Sequence, residues 1–259
     1  MNEMIDITLL QLLSAYIFIV LLLIIVRWRK IPREKEIIIA TLRMTVQLIL
    51  VGYVLTFVFE NEHWSYSIII LVLMEVFAVY NIYKRTKKKL STVLKKIIAF
   101  AMVSGTLFSF FYFNFIVIQF APWYDPRYFI PIAGMLIGNS MTGITLGVNA
   151  LVEGFTSRKK EVEAALMLGA TPNVASKTIV NHAFDSAILP TINSMVGMGI
   201  VFLPGMMTGV ILSGASPLDA ITYQIAIMLG ITGSVSISVI LFLYFGYQSF
   251  FTNRSQLKL

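Results

Sequence analysis

The sequence predicts an all-α polytopic membrane protein with about seven transmembrane helices, an outside N-terminus and a cytoplasmic C-terminus. Hydrophobic residues make up 58% of the 259 residues, and the mean hydropathy is +0.83, which is well above the values of soluble domains. Nearly uncharged stretches recur along the chain, and each is long enough to cross about 30 Å of hydrocarbon. Basic residues are concentrated in alternate connections, as the positive-inside rule requires.

We expect one transmembrane domain over residues 1–259. The predicted spans are about 7–26, 37–59, 66–83, 97–118, 129–152, 188–213 and 219–245. A polar segment at about 153–187 separates the fifth span from the sixth. A soluble all-helical protein is excluded because the spans lack polar faces.

The orientation follows from the 20 Lys and Arg residues, of which 18 fall on one side of these spans. Those residues are Arg27, Arg29, Lys30, Arg33, Lys35, Lys84, Arg85, Lys87, Lys88, Lys89, Lys95, Lys96, Arg158, Lys159, Lys160, Lys177, Arg254 and Lys258. The opposite connections carry Trp64, Trp123 and Tyr124, which are typical of the membrane interface. The net charge of +7 therefore indicates orientation in the bilayer, and we expect no nucleic-acid partner.

Several classes of chemistry are missing from the sequence. The chain has no cysteine, which excludes disulfides, thiolate metal ligands and a cysteine nucleophile. It has no G-x-x-x-x-G-K-[ST] phosphate loop. We therefore expect no catalytic residues and no cofactor bound by this chain, and any ATP should be bound by a partner subunit. The N-terminus lacks the features of a cleavable signal, so the first span should be retained.

The polar segment is predicted to form a helical pair. Residues 161–168 are good helix formers, Gly169 is a helix stop, and Pro172 begins a second helix that should end near His182. Two short helices around a small-residue turn would fit a groove on another protein. An amphipathic hairpin lying on the bilayer is the alternative.

The spacing of five residues in this segment matches the docking motif through which ABC-transporter permeases contact their ATPase. The residues are Glu163, Ala164, Ala165, Gly169 and Ile179. In importers the pattern continues to a Leu-Pro pair, but Asn181 and His182 stand there in this chain.

Four segments, 42–48, 138–141, 163–171 and 202–209, together resemble the bacterial Fet-type iron-export ABC permease family, which has plant aluminium-tolerance permeases as relatives. The resemblance extends from about residue 37 to 245. It implies a multi-pass permease of the cell (inner or plasma) membrane that works with a stand-alone ABC ATPase, as a homodimer, in metal export. Iron as the substrate rests on the resemblance alone.

Polar residues inside the spans are candidates for the transport pathway, because they are costly in hydrocarbon. Arg43 and Gln47 share a face of the second span, and Glu75 is the acidic residue well inside the third. Arg43 and Glu75 lie at similar depths, so either they form a structural ion pair or Glu75 faces the pathway. Asn139 and Asn149 in the fifth span are further candidates, because a buried amide needs partners.

The sixth span contains residues that interrupt helices, among them Pro190, Pro204 and Gly205, and we count Pro204 and Gly205 as pathway candidates. Four methionines accompany them: Met195, Met198, Met206 and Met207. Thioethers suit soft metals, but packing is the expected role of most methionines here. The metal ligands are otherwise unknown from the sequence.

Two other functions remain open at this stage. One is a binding-protein-dependent ABC importer permease, although the short outer connections offer little surface to a binding protein. The other is a seven-span receptor or an intramembrane enzyme, for which the sequence lacks the usual catalytic motifs.

Overall fold

The computed structural model describes residues 7–86, 88, 90–252 and 254–258. Lys87 and Lys89, used above for orientation, lie outside these ranges. The helices are α1 Leu9–Ala15, α2 Ile17–Trp28, α3 Glu34–Glu60, α4 Trp64–Arg85, α5 Thr92–Tyr112, α6 Pro126–Ser157, α7 Lys159–Met167, α8 Pro172–Gly197, α9 Gly205–Leu212 and α10 Pro217–Gly246. A π-helical segment, Phe113–Ile118, extends α5, and a 3₁₀ turn, Tyr247–Phe250, follows α10.

Six helical segments of the described residues are long and apolar enough to cross a membrane. They are Leu9–Trp28, Glu34–Glu60, Trp64–Arg85, Thr92–Ile118, Pro126–Ser157 and Pro217–Phe250. They correspond to six of the seven predicted spans, and several extend beyond the predicted ends by a turn or more. The chain is therefore an all-α multi-pass membrane protein.

The chain divides into two compact units at residues 62 and 63. The first contains α1, α2 and α3. Within it the Tyr16 hydroxyl lies 2.5 Å from the Thr45 hydroxyl, which joins the start of α2 to α3. Large apolar side chains such as Leu21 and Leu48 are exposed on these helices, as expected for surfaces that face lipid.

In the second unit, from His63 onward, α5, α6 and α8 pack against α10, partly through small residues, and α4 packs against α6 and α5. A methyl group added at Gly105 of α5 would lie 2.7 Å from the Cα of Ser238 on α10. The Ser140 hydroxyl of α6 lies 2.9 Å from that of Ser234 on α10. These contacts bring the helix backbones close together, which is how helices associate in membranes.

The segment predicted as a single span at 188–213 differs in the structure. It contains the end of α8, a non-helical connection at 198–204, and the short helix α9. The interruption follows from Gly199, whose φ of +84° is unfavourable for other residues, and from Pro204, which has no N–H to donate. The predicted break at Pro190 is absent, and that residue lies inside α8.

The second helix of the polar segment is also longer than predicted. It was expected to end near His182, but α8 continues to Gly197. The small side chains of Ala183 and Ala187 allow it to continue along α6, where a methyl group added at Gly147 would lie 3.4 Å from the Ala187 Cβ. One helix therefore joins the polar segment to the predicted sixth span.

The close approach at Gly105 predicts the effect of a single methyl group. Gly105→Ala should destabilise the protein by about 1–3 kcal/mol through overpacking against α10. Gly138→Ala is the matched control, because a methyl group there would have no atom within 4 Å. That change should be neutral or slightly stabilising. Thermal unfolding of both variants in detergent is the measurement, and an equal effect of the two changes would contradict the packing described.

The predicted orientation can be tested with single cysteines, because the chain has none of its own. Cysteine at the exposed Ala121 should react with a membrane-impermeant thiol reagent added to intact cells. Cysteine at the exposed Lys88 or Lys160 should react only after the cells are opened. Labelling of the Lys160→Cys variant from outside would show that the orientation is the reverse of the predicted one.

Candidate functional site

The turn between α7 and α8 has a defined geometry. Gly169 has a φ of +88°. Its N–H donates to the Leu166 carbonyl at 3.0 Å, and the Ala170 N–H donates to the Ala165 carbonyl at 3.0 Å. This pair of bonds is the Schellman arrangement that ends a helix at glycine. The sequence prediction of a helix stop at Gly169 is confirmed.

The tip of this α7–α8 hairpin (residues 159–182) exposes apolar side chains on an otherwise polar segment. Met167 is 87% exposed and Leu168 is 89% exposed, while Val174 on the first turn of α8 is 64% exposed. Ala164 is also exposed, and Glu163 and Ala165 are half-buried. An apolar tip of this kind is typical of a protein-binding surface.

Ile179, the last residue of the motif, has a different position. It is buried, and a methyl group added at Gly154 of α6 would lie 3.5 Å from its Cβ. Ile179 therefore holds the hairpin against α6 and is not available to a partner. The sequence reasoning missed Met167 and Leu168. The docking motif specifies small residues, and it does not indicate which of the large side chains next to them are exposed.

The contacts between α6 and α8 give the depth of every residue on α8. Because Gly154 faces Ile179 and Gly147 faces Ala183 and Ala187, the two helices are antiparallel. Counted from these contacts, Gly197 is level with about residue 135, some nine residues from the start of α6 at Pro126. At 1.5 Å per residue that is about 13 Å. Trp123 and Tyr124 stand at this end of α6, so the break after α8 lies near the middle of the hydrocarbon.

A polar stripe runs along the outward face of α6. It consists of Asn139, Thr142, Thr145 and Asn149, of which the first two are exposed and the others half-buried. Each side chain donates to the backbone carbonyl four residues earlier, at 2.6–3.1 Å. The donors are thus satisfied within the helix, and the amide oxygen of Asn139 remains on the exposed face.

A second polar face lies beside this stripe on α8. It contains His182, Ser186 and Asn193, which are four and seven residues apart and share one side of the helix with the exposed Leu189. His182 and Ser186 each come one residue before an alanine that contacts α6, Ala183 or Ala187. Helix α10 contacts α8 on the other side, at Met195. By the same count as above, Asn193 is level with Asn139. The sequence reasoning missed Asn193, because no rule separates it from the apolar residues around it.

The polar stripe ends in a cavity at the α7 end of α6. The cavity has a volume of about 280 Å³ and is lined by Lys88, Asn149, Glu153 and Thr156, with Val152 and Ser157. It contains both charged and neutral polar groups. A small hydrated solute could therefore occupy it beside the predicted pathway residue Asn149.

Glu75 has a partner that the sequence did not predict. It is buried in the second unit, and its Oε1 accepts a hydrogen bond from the Thr106 hydroxyl on α5. Its Oε2 is buried without a hydrogen-bond partner among the described residues. Glu75 therefore faces the contact between α4 and α5, and its predicted pair with Arg43 stays a prediction.

The remaining predicted pathway residues lie in two places. Arg43 and Gln47 are in α3 of the first unit, one helical turn apart as expected, with Arg43 half-buried and Gln47 exposed. Pro204 and Gly205 mark the start of α9, directly after the interruption. Within the part of the chain that the structure describes, no three His, Asp or Glu side chains are grouped to hold a metal ion.

The contact of Glu75 with Thr106 predicts a mild effect of Glu75→Gln. The amide keeps an oxygen that can accept from Thr106, so the free energy of unfolding should change by less than about 1.5 kcal/mol. Thermal unfolding in detergent is the measurement. A loss of about 3 kcal/mol or more that is repaired by adding Arg43→Gln would instead establish the ion pair.

The chain is similar over nearly its whole length to known membrane proteins. It is 35% identical over 96% of its length to the UPF0014 membrane protein YjkA of Bacillus subtilis, covering 98% of that protein. It is 32% identical over 95% of its length to the probable iron export permease protein FetB of Escherichia coli, covering 93% of it. The Arabidopsis thaliana protein ALUMINUM SENSITIVE 3 is 35% identical over 95% of this chain and 88% of its own length.

No solved structure matches the chain. The family model described as "Uncharacterised protein family (UPF0014)" matches residues 9–251. The resemblance to the Fet-type family that the sequence motifs indicated is thereby supported, and the chain belongs to the UPF0014 membrane protein family.

Proposed function

We propose that this chain is the membrane permease subunit of an ABC transporter that exports a metal cation, driven by a separate ATPase subunit. The observation that carries the proposal is the α7–α8 hairpin. It is a polar projection outside the apolar segments, it has the spacing of the ABC docking motif, and it presents Met167, Leu168 and Val174 to the surroundings. Exposure of these apolar side chains to water is unfavourable, and a groove on an ATPase would bury them.

The polar faces of α6 and α8 are the proposed wall of the pathway. Asn139 and Asn193 stand at the same depth near the middle of the hydrocarbon, where exposed amides are unfavourable against lipid. A second copy of the chain placed against this side would enclose them and leave a polar conduit between the copies. This arrangement favours a homodimer, with one ATPase for each hairpin.

The shape of α8 supports direct mechanical coupling. Its 26 residues form one helix of about 39 Å, which begins at the hairpin turn and ends at the interruption near the middle of the membrane. A displacement of the hairpin by the ATPase would therefore move the polar face and the interruption together. Alternate access to the two sides of the membrane would follow from this movement.

The choice of a metal cation rests on the relatives. One of them is named a probable iron export permease and another an aluminium sensitivity protein. The wall residues named above supply neutral oxygen and nitrogen atoms, which hold an ion weakly enough to release it. Iron is the first substrate to test, by ATP-dependent uptake into inverted membrane vesicles that contain both subunits.

The docking role predicts that a charge at the hairpin tip will weaken the complex. Leu168→Asp should reduce the affinity for the ATPase roughly thirtyfold, because about 2 kcal/mol of apolar burial is lost. The change should leave the membrane part folded, since Leu168 is 89% exposed. Binding of the purified ATPase to the detergent-solubilised permease is the measurement.

Thr178→Asp is the matched control for this experiment. It places the same carboxylate at an exposed position on α8, about two turns beyond the tip, and should leave the affinity within about threefold of the wild type. If Leu168→Asp binds the ATPase as tightly as this control does, the hairpin tip is not the docking surface.

A further inference from the structure

A groove lies between the beginning of α5 and the C-terminal segment that follows α10. It has a volume of about 820 Å³, which falls within the range of about 300–1,000 Å³ that is usual for ligand sites. Its apolar side chains are Val93, Ile97, Phe100, Phe245 and Phe251, and its polar side chains are Lys96, Gln248, Ser249, Thr252 and Lys258. We call it the lysine groove.

The C-terminal segment is held in place by contacts with the rest of the second unit. The Phe250 ring is stacked on that of Phe155 in α6, with ring centroids 4.3 Å apart. The Lys258 N–H donates to the Phe250 carbonyl at 2.7 Å, so the end of the chain folds back toward α10. Lys258 and Lys96, which are far apart in the sequence, therefore line one site.

The depth of the groove follows from the length of α5. With its π-helical extension, this helix contains 27 residues and is about 40 Å long, so about 5 Å extends beyond the hydrocarbon at each end. Lys96 is four residues, or about 6 Å, from the start of α5, at the boundary between hydrocarbon and headgroups. Phe100 is one turn deeper, and its ring centroid lies 6.0 Å from that of Phe245 on α10. The groove therefore extends from the headgroups into the hydrocarbon.

The groove lies on the same side of the membrane as the α7–α8 hairpin. A neighbouring cavity of about 280 Å³ is lined by Val93, Ser249 and Lys258, which also line the groove, and by Val152 and Thr156 near the end of α6. Helix α6 leads directly into the hairpin. In the predicted orientation this side is the cytoplasmic one.

The charge of the groove favours an anion. No acidic side chain of the described residues lines it, so Lys96 and Lys258 give it a positive charge. Both lysines are exposed, and an ammonium group offers three donors to a phosphate. The adjacent Lys95 does not line the groove, because its Nζ lies 5.8 Å from the centre of the Tyr83 ring on α4.

The apolar part of the groove distinguishes a lipid from other anions. Free phosphate has no group to place against Ile97 and Phe100, and a cytoplasmic protein would have to enter the hydrocarbon to reach Phe100. An anionic phospholipid has its phosphate at the headgroup level and its acyl chains below. The groove presents lysines and apolar side chains in the same order, and basic pockets between membrane helices are suited to such headgroups.

We propose that the lysine groove binds one anionic phospholipid, with its phosphate at Lys96 and Lys258 and an acyl chain against Ile97, Phe100 and Phe245. The lipid comes from the leaflet on the side of the hairpin. This inference goes beyond the proposed function and does not depend on it, because binding of the lipid can be measured without the ATPase and without transport.

The test uses the full chain in detergent and two lipids with the same acyl chains, phosphatidylglycerol and phosphatidylcholine. Titration followed by native mass spectrometry should show one phosphatidylglycerol bound per chain, more tightly than phosphatidylcholine. Lys96→Gln with Lys258→Gln should reduce the affinity for phosphatidylglycerol roughly thirtyfold, which corresponds to about 1 kcal/mol for each lysine. The affinity for phosphatidylcholine should not change.

The chain offers a matched control in Lys95→Gln with Arg254→Gln. This variant removes two positive charges from the same helix and the same C-terminal segment, at exposed positions that do not line the groove. Its affinity for phosphatidylglycerol should stay within about threefold of the wild type. Equal losses in the two double variants would indicate attraction by net charge alone. That result, or full binding by the groove variant, would overturn the inference.

A direct test on the wild type avoids any question of folding. Phosphatidylglycerol with a photoactivatable group on an acyl chain should label the peptides that contain Phe100 and Phe245. Labelling that is spread evenly over the exposed apolar helices would overturn the proposal, whatever the variants do.

Two competitors test the other possible occupants. Inorganic phosphate in large excess should leave the phosphatidylglycerol bound, and its displacement would show a site for free phosphate. The purified ATPase should bind without releasing the lipid, and release would show that the groove is a protein-docking surface. Either displacement would overturn the lipid site, and neither would contradict the proposed export function.

Discussion

The close approach of α10 to its neighbours is the constraint on which the second unit depends. In lipid, apolar side chains gain little by leaving the solvent, so helices associate through van der Waals contact and a few hydrogen bonds. Gly105 beside Ser238 and the Ser140–Ser234 contact provide both. With α5 and α6 fixed on α10, the position of α8 is set by its contacts with α6. The depth of the interruption, and of every candidate residue near it, follows from these contacts.

The apolar character of the chain made the class of fold predictable. Long uncharged segments can cross a bilayer only as helices, and six of the seven predicted spans correspond to helical segments that the structure shows. The interruption of the sixth predicted span could not be predicted from composition. Its composition is that of a span, but Gly199 and Pro204 interrupt the helix, while Pro190 does not. Whether a proline ends a helix depends on the neighbours that support the backbone around it, and these are tertiary contacts.

The candidate site was predictable in part and for a related reason. Local spacing was enough for the turn at Gly169 and for the shared helix face of Arg43 and Gln47, because both are properties of a single helix or turn. The partner of Glu75 was not predictable, because Thr106 is 31 residues away and lies on another helix. Asn193 was missed for the same reason. Its importance arises from its position level with Asn139 on α6, and no short segment of the sequence records that.

The continuity of α8 connects the proposed docking surface with the proposed wall of the pathway. If the polar segment and the membrane segment were separate helices, a movement of the hairpin could be absorbed at the joint between them. A single helix from Pro172 to Gly197 has no non-helical joint that would absorb the movement. Pro190 lacks the N–H that would bond to the Ser186 carbonyl, so any bend within α8 is expected there. The joint lies instead at residues 198–204, near the middle of the hydrocarbon. A displacement of α8 relative to α6 would therefore change the distance between Asn193 and Asn139, which stand at the same depth. A cation held between the two polar faces would be bound tightly in one arrangement and loosely in the other, which is the condition for releasing it on one side of the membrane.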